Sequence, residues 1–187
     1  RSDGALDLDQ LAASLPEGTP LLAAVCHINN ETGAVQDLPA LRQWLNRHAP
    51  RAYLLVDALQ SCGKTAIPWN DAGIDYLSVG SRKFGGPAHV GALIVRRGAP
   101  LQPLLLGGDQ QAEMRSGTLD TVGIIEFKLA LEALAPDMQS EWERLAALNR
   151  HLRHRLVNDL EPAPVFVSPD TGSPAIVNVA FPGFDGA

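Results

Sequence analysis

Apolar residues recur along this chain with two spacings. Leu21-Leu22-Ala23-Ala24-Val25 and Tyr53-Leu54-Leu55-Val56 are short continuous apolar runs, the pattern of strands buried on both faces. Asp75-Tyr76-Leu77-Ser78-Val79 and Gly91-Ala92-Leu93-Ile94-Val95 are two further candidate strands. Around them, apolar positions three and four apart predict helices. Leu8, Leu11, Ala12 and Leu15 form one stripe, closed by Pro16 and Gly18; Leu38, Leu41, Trp44 and Leu45 form another. Strand and helix alternate over roughly the first 100 residues, which predicts an α/β fold with a mainly parallel sheet and flanking helices.

The character changes beyond Thr118. Residues 121–134 carry Ile124, Phe127, Leu131 and Leu134 on one helical face, and Pro136 interrupts. Residues 141–160 form a long helical pattern through Trp142, Leu145, Leu148, Leu152 and Leu156, ended by Pro162 and Pro164. Val165-Phe166-Val167 and Ala175-Ile176-Val177-Asn178-Val179 resemble strands. The expected organisation is therefore a large α/β portion over 1–135, a linking helix over 136–160, and the beginning of a small C-terminal α/β domain over 161–187.

Composition narrows the function classes. Hydrophobic residues make up 45% of the 187, enough for a packed core. A net charge of −6 argues against nucleic-acid binding, which needs a basic face. Apolar runs fall short of the roughly 18 residues of a membrane span. Two cysteines, Cys26 and Cys62, are too few for a disulfide scaffold and suit a reducing, cytoplasmic interior. The opening residues Arg1-Ser2-Asp3-Gly4 lack a signal-peptide apolar region, and both ends read as cut from a longer protein. His151 and His154, three apart among Arg150, Arg153 and Arg155, read as a solvated basic face, so no metal site is expected.

Two stretches carry chemistry. The run from Ala58 to Thr65 ends in Gly63-Lys64-Thr65 after a strand, like a relaxed phosphate-binding loop. Ala58, Leu59 and Gln60 are poor substitutes for glycine amides, and Pro68 falls where the following helix should open. The second is a pair. Asp57 stands at the carboxyl end of a strand, where α/β sheets place ligands. Lys83 follows another strand in the small-residue loop Gly80-Ser81-Arg82-Lys83-Phe84-Gly85-Gly86-Pro87. A carboxylate for a pyridinium nitrogen and an amine for an aldehyde are what pyridoxal phosphate sites require. On spacing alone, a helix-capping Asp and a surface Lys are the simpler explanation of the pair.

Four ordered segments resemble the cysteine desulfurases, in the class V aminotransferase branch of the pyridoxal phosphate enzymes. They are His27-Ile28-Asn29-Asn30-Glu31-Thr32-Gly33, Val56-Asp57-Ala58-Leu59-Gln60-Ser61-Cys62-Gly63-Lys64, Ser81-Arg82-Lys83-Phe84-Gly85-Gly86-Pro87, and Gly107-Gly108-Asp109-Gln110 leading to Arg115-Ser116-Gly117-Thr118. The resemblance implies that 1–135 is the cofactor-binding portion of a pyridoxal phosphate transferase large domain. It implies Lys83 as the lysine that condenses with the cofactor and later shuttles a proton. Asp57 would face the ring nitrogen, and Gln60 would hydrogen-bond the ring phenolate oxygen. Asn30 would lie near that oxygen and the substrate carboxylate. Thr118 would reach the cofactor phosphate of a neighbouring subunit, so a homodimer is implied. The reaction implied converts L-cysteine to L-alanine and leaves sulfur as a persulfide on an enzyme cysteine. That sulfur would pass to an acceptor protein, with iron–sulfur cluster assembly or tRNA thiolation as destinations.

The chain departs from the family pattern in places. The usual Ser-x-His-Lys is Gly80-Ser81-Arg82-Lys83 here, so Gly80 offers only backbone to the phosphate, whereas Arg82 can pair with it bidentately. The family's upstream ring-stacking His and downstream acceptor Cys have no counterpart among these residues, and Cys26 and Cys62 match non-catalytic positions. Selenocysteine lyase, or another class V lyase or aminotransferase, is the alternative within the same chemistry. A non-catalytic binding module is the alternative outside it.

Overall fold

The computed structural model describes residues 3–15 and 22–184. The expected helix stops Pro16 and Gly18, and Leu21 of the first strand, lie outside the described residues. Ten helices and strands follow in the order α1 (Leu8–Ala13), β1 (Leu22–Cys26), α2 (Leu38–His48), β2 (Tyr53–Asp57), β3 (Tyr76–Gly80), β4 (Gly91–Val95), α3 (Thr121–Leu134), α4 (Met138–Asp159), β5 (Val165–Phe166) and β6 (Val179–Ala180). A 3-10 turn, Ser81–Phe84, follows β3. The main sheet has the order β1-β2-β3-β4, with β1, β2 and β3 parallel and β4 antiparallel to β3. The α/β architecture and largely parallel sheet agree with the strand–helix alternation.

Helices begin at acidic caps. The Asp37 carboxylate accepts the Ala40 N–H at 2.9 Å, and Pro39 occupies the first turn, where no intrahelical N–H is needed. Asp120 does the same for Gly123 at 3.0 Å, at the start of α3. One core follows. Leu38, Leu41, Trp44 and Leu45 from α2 bury against Leu54 and Val56 of β2 and Leu77 and Val79 of β3. Each fully buried Leu or Val stabilises the fold by roughly 1.5–3 kcal/mol relative to exposure.

Burial departs from expectation at β1. It alternates, with Leu22, Ala24 and Cys26 exposed, whereas burial on both faces was expected. The partly buried residues of α1 and α3 join the same core cluster as α2, so these helices do not cover the Leu22–Cys26 face. The C-terminal strands are also shorter than expected. The 175–179 run contributes only Val179 to β6, and α4 starts at Met138 rather than 141 because Pro136 is absorbed in a 3-10 turn, Ala135–Asp137. Arg153 ties α4 to this region: its guanidinium lies 4.6 Å over the Phe166 ring and donates to the Ser168 carbonyl at 3.0 Å. Among the described residues no helix is long and apolar enough to cross a membrane.

A second clamp holds the sheet at its amino end. Arg42 donates to the carbonyls of Ala72 (3.2 Å), Ala52 (3.3 Å) and Gly73 (2.6 Å), and to Asp75 Oδ2 at 2.7 Å. Asp75 Oδ2 also accepts the Leu54 N–H at 2.8 Å, linking α2, the entry to β3 and the body of β2. Both side chains are 16% exposed. Removing one partner of such a pair leaves a charge and several carbonyls unmatched. Arg42→Ala should destabilise the fold by about 2–4 kcal/mol, seen as a lower urea midpoint at unchanged slope.

Candidate functional site

The parallel register sends three loops from one edge of the sheet. Cys26 pairs with Asp57, and Asp57 with Ser78, so the carboxyl ends of β1, β2 and β3 lie side by side. Asn30 follows β1, Gln60 follows β2, and Arg82 and Lys83 follow β3. The structure thus brings Asn30, Asp57, Gln60, Arg82 and Lys83 to one edge.

Each loop has its own local cause. In the first, Asn29 Oδ1 accepts the N–H groups of Glu31 (2.9 Å) and Thr32 (2.8 Å), folding the chain into a turn. That commits Asn29 to structure and leaves the neighbouring Asn30 exposed. The Gly33 carbonyl then accepts the Ser173 N–H at 2.7 Å, joining this turn to the C-terminal region. In the second, Asp57 Oδ1 accepts the Leu59 N–H at 2.9 Å, which sets the carboxylate's direction and leaves Oδ2 for a cationic N–H. Residues 61–65 form turns through the Lys64 N–H and Thr65 N–H to the Ser61 carbonyl, and residues 66–68 are not helical. The amides of a helix N-terminus, which a nucleotide phosphate loop needs, are therefore lacking there.

The third loop is a 3-10 turn in which positions three apart eclipse. Ser81 and Phe84 are buried, so Arg82 and Lys83 between them point outward. Ser81 Oγ donates to the Pro87 carbonyl at 2.5 Å, folding 81–87 back on itself. Phe84 stacks on Phe127 of α3 with ring centroids 5.6 Å apart. Gly85 caps the turn at φ 89°, and a Cβ on Gly86 would fall 2.4 Å from Ser81 Cβ. At Gly80, by contrast, a Cβ would meet only Leu59 and the Val90 carbonyl, at 3.8 Å or more. The fold does not demand glycine where the related pattern has Ser.

Electrostatics follow from placement. Burial, and then the Asp57 carboxylate, raise the proton affinity of the Cys26 thiol. Burial does the same for Cys62. Neither favours the thiolate a sulfur acceptor needs. Cys26 is exposed, because the sheet face it occupies is uncovered. Lys64 Nζ donates to Gln60 Oε1 at 3.1 Å, and its own proton affinity is lowered by burial and then by the Lys83 charge. By spacing this lysine belongs to the phosphate-loop pattern, and its four-residue separation from Gln60 is the sequence signal of the contact. Thr118 stands apart from the edge cluster. It is exposed, two residues before Asp120, whose carboxylate meets His89 Nε2 at 2.9 Å. Among the described residues no group of three metal-ligating side chains converges.

The donor set fits a pyridoxal phosphate ring system. Asp57 Oδ2 would accept from the ring nitrogen, Gln60 would donate an amide N–H to the phenolate oxygen, Lys83 would supply the amine, and Arg82 would meet the phosphate. These groups lie along the carboxyl edge of a largely parallel α/β sheet, where this class of fold places its ligands. The sequence pattern of the aminotransferase class-V family matches residues 1–187, and the chain belongs to that family, whose members work with pyridoxal phosphate. It is 33% identical to the cysteine desulfurase IscS of Pseudoalteromonas translucida over 181 residues, covering 96% of this chain and 44% of that protein. It is 35% identical to the cysteine desulfurase IscS 1 of Archaeoglobus fulgidus, covering 98% and 47%. The fold superposes on a NifS-like protein with TM-score 0.89 at 28% identity, over 98% of this chain and 49% of that one. It superposes on DndA from Streptomyces lividans with TM-score 0.78 at 31% identity, over 99% and 52%. The chain spans about half the length of the relatives it matches.

Two outcomes follow from the site's framework. Gly86→Ala must displace Ser81 or the 81–87 turn, so it should cost about 1–3 kcal/mol and lower the melting temperature; Gly80→Ser should leave it unchanged. His27, 5% exposed and with Nδ1 lacking a partner among the described residues, has its proton affinity lowered by burial. Above the ordinary histidine range it is neutral in both states. As pH falls below roughly 6.5, the unfolded chain takes up a proton that the folded one resists, so stability declines. His27→Gln should flatten that part of the stability–pH curve, measured by urea unfolding at several pH values.

Proposed function

We propose that this chain is the cofactor-binding part of a pyridoxal phosphate dependent cysteine desulfurase. The observation that carries the reading is that Asp57 ends one parallel strand, Gln60 follows it, and Lys83 follows the neighbouring parallel strand at the same sheet edge, in a chain whose relatives are named cysteine desulfurases. A solved relative, SspA in complex with cysteine, is 32% identical with TM-score 0.65 over 77% of this chain. That complex supports cysteine as the substrate proposed here.

Bound pyridoxal phosphate withdraws the electron pair left at the substrate α-carbon. This chain's residues do the rest of the work within their reach. Asp57 keeps a proton on the ring nitrogen, with Oδ1 held by the Leu59 amide. Lys83 Nζ would supply the amine that holds the cofactor aldehyde and would move a proton at the substrate α-carbon. Arg82 balances the phosphate charge, and Asn30 receives the substrate carboxylate. Thr118 serves the site across a homodimer interface. Sulfur leaves L-cysteine for a cysteine thiol elsewhere in the protein, forming a persulfide and leaving L-alanine. Neither Cys26 nor Cys62 is proposed as that acceptor: Cys62 is buried, and partial desolvation and the Asp57 charge raise the proton affinity of the exposed Cys26 thiol.

The test uses the full-length polypeptide loaded with pyridoxal phosphate and reduced with borohydride. Mass spectrometry should find the cofactor on the peptide bearing Lys83. Lys83→Ala should remove that adduct and lower alanine release from L-cysteine by roughly 10²–10⁴-fold. An adduct on Lys64, or none on any lysine, would overturn the assignment.

A further inference from the structure

We infer that Lys64 is a positioning residue that fixes the amide orientation of Gln60, so that Gln60 presents its N–H to the cofactor's phenolate oxygen. The inference rests on the proposed cofactor site and adds to it a residue outside the set assigned there.

A glutamine amide can face a neighbour with either end, and its two ends differ in sign. An ammonium has donors and no acceptor. The atom of Gln60 that meets Lys64 Nζ at 3.1 Å must therefore be the carbonyl oxygen, as it is. With Oε1 committed, the amide nitrogen is the end left for a third group, and that group must be an acceptor. A phenolate oxygen is one. With the amide reversed, the carbonyl would oppose the phenolate and the contact would be repulsive.

The backbone keeps Lys64 in place. Ser61 accepts from both Lys64 N–H and Thr65 N–H at 3.0 Å, and Ser61 itself is fully buried. The Lys64 side chain is half-buried and near enough to Lys83 to feel its charge. Both lysines line a cavity of about 520 Å³ whose other charged lining groups are Asp137 and Glu141. Glu141 is engaged by Arg144 at 2.6 Å. A lysine held against a like charge gives up favourable solvation, and the Gln60 carbonyl is the hydrogen-bond acceptor that offsets this.

The experiment uses full-length protein, pyridoxal phosphate as the probe, and four forms: wild type, Lys64→Met, Lys64→Arg and Gln60→Ala, with the Gln60→Ala/Lys64→Met double variant closing a cycle. The readouts are the dissociation constant for pyridoxal phosphate and the pH midpoint of the bound chromophore's visible band. Loss of an N–H donor to a phenolate raises the pH at which that oxygen gives up its proton. Lys64→Met should weaken binding about three- to tenfold and move the midpoint upward by about half to one pH unit. Lys64→Arg should restore both, and Lys64→Met should add nothing in the Gln60→Ala background. A midpoint unmoved in Lys64→Met, or a shift that persists in the Gln60→Ala background, overturns the inference while leaving the cofactor site intact. Should Lys64→Met not fold, Lys64→Leu, which likewise removes the donor, carries the same readouts. Absence of a Lys83-linked chromophore in wild type would instead overturn the function on which it rests.

Discussion

Asp57 is available for chemistry because β2 cannot slide. Side chains alternate along a strand, so a slip of one residue would turn Asp57 into the layer occupied by Leu54 and Val56 and expose both of them. An unmatched carboxylate in that layer would cost several kcal/mol, in addition to the lost burial. The Asp75 carboxylate, held by Arg42, takes the Leu54 N–H and pins the same strand from its amino end. Register, core and clamp are one constraint. It determines that Cys26, Asp57 and Ser78 lie level in the sheet and that the three loops depart from the same edge.

The turn after β3 converts that constraint into an exposed amine. Burying Ser81 and Phe84, three apart in a 3-10 turn, turns the two residues between them outward. Phe84 is fastened by Phe127, and Ser81 by the Pro87 carbonyl, so Lys83 is carried on a framework anchored on both sides. The exchange of covalent partners proposed for Lys83 calls for a mobile side chain on a fixed backbone. Gly86, packed against Ser81, is part of what fixes that backbone.

Much of this was legible in the residues themselves. The continuous apolar run at 53–56 announced β2, which lies inside the sheet, and the helical stripe of α2 matched its buried face residue for residue. The site was legible only through resemblance, because an Asp and a Lys twenty-six apart have no periodicity to betray that parallel strands bring them to one edge. What the residues hid was contextual. An alternating exposure pattern at β1 cannot be seen in Leu22-Ala23-Ala24-Val25-Cys26, where every side chain is apolar or nearly so. The 175–179 run has strand composition, yet only its last residue finds a partner strand. The split between Asn29 and Asn30 depends on which side chain the turn consumes, and both have the same chemistry.

Gly63-Lys64-Thr65 shows how far backbone context decides what a lysine does. Where such a tripeptide opens a helix, free amides gather a phosphate and the lysine completes an anion site. Here Pro68 and the non-helical residues 66–68 withhold those amides, while the turn at Ser61 folds Lys64 back toward Gln60. The ammonium then meets a neutral carbonyl instead of a phosphate. Its charge is directed at the polarity of one side-chain amide, and through that amide at whatever acceptor lies beyond it. The same three residues thus pass from binding an anion directly to setting the sign of the group that does, and the helix that fails to form after Thr65 makes the difference.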